Sequence, residues 1–250
     1  MFAVCTRVVS AQSAAPAPES NVKFMPNADF HVSAEHLSGG DEGFWWDANF
    51  GGEFDIIDYG TGRATFVANY QVILGTEFRN YDPNQGNYIL AGSSSYRYGE
   101  YEIAGVFHHE SRHLADRPNR VAVAWNMLGG RVRRVFVSGP ARVDARIDLR
   151  KTIARAFVDY TWEFDAGVRS DVQVAPHVGA FAFGDLRRLA VDGNQNRGGQ
   201  TGYRIEGGVH VSGIAGGMEF FLANERRVDP YPLEFGTVNW VTVGFRLLSR

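Results

Sequence analysis

A single cysteine, Cys5, in 250 residues excludes a disulfide framework and any zinc module built on thiolates. Charge of one sign is also missing. The formal net charge of −3 leaves no basic footprint for a nucleic-acid partner. No apolar run approaches the roughly 18 residues of a spanning helix, because charges or glycines interrupt each one. A helical membrane protein is thereby excluded, and one made of strands is not. With 44% hydrophobic residues the chain is too apolar to stay disordered. No stretch combines helical periodicity with caps at both ends.

What is present in abundance is alternation. From Val158 the even positions are Val158, Tyr160, Trp162, Phe164, Ala166 and Val168, while the odd ones are Asp159, Thr161, Glu163, Asp165, Gly167 and Arg169. Only a strand separates these two sets onto opposite faces. Residues 141–150 repeat the pattern, with Ala141, Val143, Ala145, Ile147 and Leu149 against Arg142, Asp144, Arg146, Asp148 and Arg150. Residues 203–212 and the run Val241, Val243, Phe245, Leu247 do the same. Turn signals such as Gly60-Thr61-Gly62, Gly129-Gly130, Gly139-Pro140 and Asp192-Gly193-Asn194 punctuate the chain. They divide it into about twelve strands (ten to fourteen) near 28–38, 44–58, 63–80, 87–97, 99–113, 119–128, 132–149, 153–170, 172–184, 201–213, 214–225 and 235–248.

Long amphipathic strands fit either a barrel with an apolar inside or a transmembrane barrel with an apolar outside. Three features favour the second. The charged face carries both signs at high density, as a salt-bridged lumen requires. Aromatics fall near strand ends, among them Trp45, Trp46, Tyr59, Tyr81, Tyr88, Tyr98, Tyr101 and Trp240, where interfacial girdles would lie. Glycines within strands (Gly105, Gly179, Gly207, Gly213) aid curvature and closure. The expected fold is an all-β, transmembrane, antiparallel up-and-down barrel over 23–250, in the bacterial outer membrane. Residues 1–22 read as a leader and linker: Val9-Ser10-Ala11 offers the small residues of a signal-peptide cleavage site, and Ala14-Ala15-Pro16-Ala17-Pro18 a Pro-rich lead-in.

The richest chemistry lies in Phe107-His108-His109-Glu110-Ser111-Arg112-His113-Leu114-Ala115-Asp116. His109-Glu110-Ser111-Arg112-His113 matches the H-E-x-x-H zinc-peptidase motif, which needs a helix to bring its histidines together. On a strand the two histidines share a face but stand about 13 Å apart. The preceding alternation of Tyr101, Ile103, Gly105 and Phe107 points to a strand, with His109 and Ser111 turned toward lipid. A His and a Ser two residues apart on one face can act as base and nucleophile, and a third group must then hold the imidazole.

Gly105-Val106-Phe107-His108-His109-Glu110-Ser111, followed by Trp125-Asn126, resembles outer-membrane phospholipase A, a twelve-stranded barrel with a lipid-facing Ser-His-Asn triad. The resemblance implies an acyl-ester hydrolase with Ser111 as nucleophile, His109 as base and Asn126 as orienting group. His109 through Asp116 also resembles a family of bacterial outer-membrane proteins of unestablished function that carries His-x-Ser-Ser-His-Leu-Gly-Asp. Arg112 and Ala115 depart from that stretch. Two features oppose a triad. The Ser111 to Asn126 interval is longer than in the phospholipase. With Val121, Val123, Trp125 and Met127 on the lipid-facing side, Asn126 falls to the lumen. The phospholipase resemblance implies calcium, yet no compact carboxylate cluster accompanies it, so no metal or other cofactor is assigned. Arg131, Arg133, Arg134, Arg142, Arg146 and Arg150 can meet either lipopolysaccharide phosphates or luminal carboxylates. The expected partners are the outer-membrane lipid bilayer and lipopolysaccharide, with a homodimer in reach. Three functions stay open: a lipid acyl-ester hydrolase, a non-enzymatic barrel with a structural, transport or binding role, and a zinc peptidase.

Overall fold

The computed structural model describes residues 21–39, 41–76, 78–114 and 121–249. The leader and linker expected over 1–22 lie outside the described residues as far as 20. Twelve strands follow in chain order: β1 (Lys23–Leu37), β2 (Trp46–Asp58), β3 (Arg63–Thr76), β4 (Asn80–Tyr98), β5 (Tyr101–Leu114), β6 (Val123–Ser138), β7 (Ala141–Ala156), β8 (Tyr160–Ala175), β9 (Val178–Val191), β10 (Gln200–Ser212), β11 (Gly216–Val228) and β12 (Thr237–Ser249). Each pairs antiparallel with its sequence neighbours, and β1 pairs with β12, closing the barrel. Closure removes the unpaired strand edges that a twelve-stranded open sheet would expose.

Alternation places the side chains as expected. On β8, Trp162, Phe164 and Val168 are exposed on the outside while Glu163 and Asp165 are buried within. On β7, Ile147 and Leu149 face out, whereas Asp148 and Arg150 are buried. The lumen is filled by interlocked ion pairs. Arg187 joins Glu163 at 2.5 Å and Glu110 at 3.4 Å. Arg204 meets Glu35, Glu206 and Glu225 between 2.7 and 2.9 Å. Arg246 holds Glu206 and Glu219, and Arg227 holds Asp47 and Glu225. A buried charge is tolerated only when so compensated.

Three sequence readings change. The Gly129-Gly130 pair is not a turn. It lies inside β6, where a side chain at Gly129 would run into the carbonyl oxygen of Leu149. The turn is at Gly139-Pro140, with Gly139 at a φ of 55° that suits a residue lacking Cβ. Tyr160 leaves the lipid-facing row because the β8–β9 register shifts between Tyr160 and Trp162, which turns its ring inward. Trp240 is not a girdle residue; it is buried beside Leu37, Phe44 and Ile73.

The barrel has two different ends. The connections 99–100, 139–140 and 176–177 are tight, while 38–45, 192–199 and 229–236 are long loops. Short turns mark the periplasmic end of such barrels and long loops the outer end. At the loop end Val123, Trp125, Met127, Val158, Tyr160, Leu189 and Val228 form an apolar plug inside the lumen. Arg112 lies 5.1 Å over the Trp125 ring and donates to the Asp229 carbonyl. The Tyr160 hydroxyl donates to the Asp229 carboxylate at 2.5 Å. Arg197, from the 192–199 loop, bridges Asp159 and Asp229.

Candidate functional site

Residues 101–114 form a strand, so the H-E-x-x-H stretch never adopts the helical geometry its zinc reading needs. Strand parity splits it. His108, Glu110 and Arg112 turn into the lumen, where Glu110 pairs with Arg112 at 3.0 Å. His109, Ser111 and His113 share the outer face with Ile103 and Phe107.

The neighbouring strand supplies the third residue. β5 and β6 pair with His109 directly opposite Asn126 and Ser111 opposite Ala124. Trp125 and Met127 are the buried, inward residues of β6, so Asn126 points outward. The sequence reading that sent Asn126 to the lumen is reversed. Two large apolar residues looked lipid-facing, but they build the luminal plug. The Nδ1–H of His109 donates to Asn126 Oδ1 at 2.6 Å. An amide oxygen can only accept, which fixes the proton on Nδ1 and leaves Nε2 with its lone pair.

Ser111 is buried, and a 3.4 Å hydrogen bond links its Oγ to Nε2 of His113. The structure therefore brings His109 and Asn126 together and leaves Ser111 with His113 instead of His109. Ser111 stands between His109 and His113 in sequence on one face of β5. The Tyr88 ring meets His113 edge-on at 5.4 Å and is itself 4.6 Å from Tyr70, which lies 5.2 Å from Phe50. This row of outward aromatics around the motif was not recognised as a unit in the sequence. The signal was Tyr88, opposite Ser111 in register. Asp116, the last residue of the stretch singled out in the sequence, lies outside the described residues.

Calcium takes six to eight oxygen ligands. The outward neighbours of Ser111 are Tyr88, Leu90, His109, His113, Ala124 and Asn126, none of them a carboxylate. Among the described residues no group of three or more His, Cys, Asp or Glu is placed to hold a metal. These residues do not fit a calcium ion. Three arginines of β6 and β7 serve the lumen: Arg131 pairs with Asp148, Arg133 with Asp144 and Arg146 with Asp185. Arg134 faces out near the short-turn end, over the rings of Tyr101 and Phe136.

No protein-family model matches the chain, and no curated protein matches it. Solved structures do. The outer membrane phospholipase A of Escherichia coli superposes with a TM-score of 0.56 at 9% identity, over 91% of this chain and 98% of that one. The Salmonella typhi outer membrane phospholipase, a dimer with bound calcium, gives 0.55 at 9% identity over 90% of each chain. A KdgM porin gives 0.47 at 8% identity over 88% of this chain and 98% of that one. At these identities the likeness is one of fold. A closed, even-numbered antiparallel barrel with an apolar outside and an ionised inside is the architecture of bacterial outer-membrane proteins, and this chain is one of them.

Proposed function

We propose that this outer-membrane barrel is an acyl-ester hydrolase of membrane lipids, phospholipase A-like, with Ser111 as nucleophile, His109 as general base and Asn126 as the group that orients the base. The observation that carries the reading is the 2.6 Å bond between His109 Nδ1 and Asn126 Oδ1 on the lipid-facing surface. A His–Asn pair exposed to hydrocarbon costs solvation and adds little to the barrel, whereas it sets the tautomer that a base needs.

In the reaction, Ser111 turns from His113 to His109. Its oxygen attacks the ester carbonyl carbon while the hydroxyl proton passes to His109 Nε2, and the carbonyl π pair moves onto oxygen. Collapse re-forms the carbonyl and breaks the bond to the glycerol oxygen, which takes the proton from His109. Water then repeats the sequence on the acyl-enzyme, with His109 again accepting and returning the proton. His113 is the resting partner of Ser111.

The longer likeness of the 109–116 stretch to the His-x-Ser-Ser-His-Leu-Gly-Asp family supports the outward His-x-Ser unit. The partners this reading implies are the bilayer lipids, lipopolysaccharide around the loop end and a second copy of the chain in the membrane plane. One observation favours the non-enzymatic alternative: Ser111 rests on the wrong histidine for attack. Hydrolysis of phospholipid in mixed micelles by the wild type and Ser111→Ala decides. The wild type is expected to release fatty acid and the variant none. Equal rates would leave a barrel without this activity.

A further inference from the structure

The chain has only two lysines, Lys23 and Lys151. Luminal cations are arginines held by carboxylates, but Lys151 points the other way. It lies in β7 beyond the outward residues Ile147 and Leu149, and its register partners are Leu128 and Trp162. Its ammonium is 5.7 Å from the centre of the exposed Trp162 ring. Among the described residues it has no carboxylate partner. A lipid-facing cation without a counter-ion is costly unless a ligand or the interface supplies one.

The surroundings define what fits. A groove of about 340 Å³ opens on the membrane face between β7 and β8, lined by Lys151, Ile153, Ala154, Arg155, Thr161 and Trp162. Arg155 is already committed to the Tyr160 carbonyl and the Asp192 carboxylate, which leaves Lys151 as the cation free to meet a ligand. Its four-carbon stem can carry the charge along apolar surface to headgroup level. The occupant must be an amphiphile, because the groove faces hydrocarbon. One uncompensated positive charge matches one phosphodiester; a lipid with two phosphates would bring one negative charge too many. Ala154, on the groove wall, is the register partner of Asn126, so the groove adjoins the His109–Asn126 pair.

We propose that this groove binds a single glycerophospholipid, with Lys151 meeting its phosphate and Ile153 and Trp162 flanking its glycerol and upper acyl chain. The site does not depend on hydrolysis by Ser111, and binding and turnover can be read apart. The test uses the barrel refolded in vesicles with spin-labelled phosphatidylglycerol or spin-labelled diacylglycerol of the same chains. The wild type is expected to immobilise the phosphatidylglycerol about fivefold more strongly, the effect of one cation at a membrane surface. K151L is expected to lose that preference and K151R to keep it. Heat-modifiable gel migration confirms that each variant is folded, and an outward leucine suits the lipid-facing position. An unchanged preference in K151L overturns the proposal. So does a Lys151-dependent preference for lipopolysaccharide over phosphatidylglycerol, which would name a different occupant. Loss of lipid hydrolysis in Ser111→Ala with lipid immobilisation intact would leave this site standing whatever becomes of the reaction.

Discussion

Replacing Asn126 by alanine isolates the orientation of the base. In the folded barrel His109 Nδ1 has a single short partner, Asn126 Oδ1 at 2.6 Å. Without it the imidazole is free to rotate and to carry its proton on either nitrogen. A hydrogen bond between neutral groups contributes about 0.5–1.5 kcal/mol, and 1.36 kcal/mol corresponds to tenfold in rate. An aspartate in this position of a triad is worth as much as about 10⁴, but a neutral amide lacks the charge that stabilises an imidazolium. The expected result is therefore a fall in kcat of about tenfold with KM nearly unchanged, measured as fatty-acid release from mixed micelles. Asn126→Asp keeps an acceptor at the same place and is expected to retain more activity than the alanine variant. Two results would refute the reasoning: an Asn126→Ala rate within twofold of wild type, or a loss as complete as that of Ser111→Ala.

Other consequences follow from the lumen and the loops. Glu163→Leu takes from Arg150 one of its three carboxylates, leaving Asp148 and Asp165, and strips Arg187 of the shorter of its two pairs; a loss of about 3 kcal/mol should show as a lower urea midpoint of unfolding. Gly129→Val forces a side chain against the Leu149 carbonyl, and a sharp drop in the yield of heat-modifiable, folded barrel is expected. The apolar plug and the cross-lumen ion pairs predict that the purified barrel produces no stepwise conductance in planar bilayers. In the 229–236 loop, burial and the Asp41 carboxylate to which Tyr231 donates hold its phenol above the usual tyrosine range. A phenol whose folded pKa exceeds its unfolded value of about 10 adds stability that is complete below pH 10 and lost as pH climbs through the raised value. Ultraviolet titration should find it ionising later than the exposed tyrosines, and Tyr231→Phe should remove that late phase.

The strand count and the inside–outside assignment were legible because the side-chain period of a strand is two and the two faces here differ so sharply, as Phe164 against Glu163 shows. Legibility failed where one rule met a second. Gly129-Gly130 carries a turn signature, yet the same lack of side chains serves close packing between β6 and β7. Trp125 and Met127 obey parity, but a luminal plug inverts the meaning of an apolar residue near the loop end. That inversion sent Asn126 inward on paper and hid the His109–Asn126 pair. The outward placement of His109 and Ser111 on one face was legible from strand parity. Which histidine holds the Ser111 hydroxyl is a matter of one torsion, and no sequence pattern encodes a rotamer.

The closed wall of twelve strands separates two solvents. The outer surface that bears Ser111 lies across that wall from the lumen, so in the proposed reaction a lipid substrate comes to that residue from the leaflet. The quantity that governs encounter is then a density per unit of membrane area, diluted by any inert lipid or detergent that shares the sheet. If Ser111 carries the proposed reaction, inhibitors should rank by how well they dissolve in the bilayer before they rank by fit, and an oily serine reagent should act faster on intact cells than a highly polar one of the same reactivity.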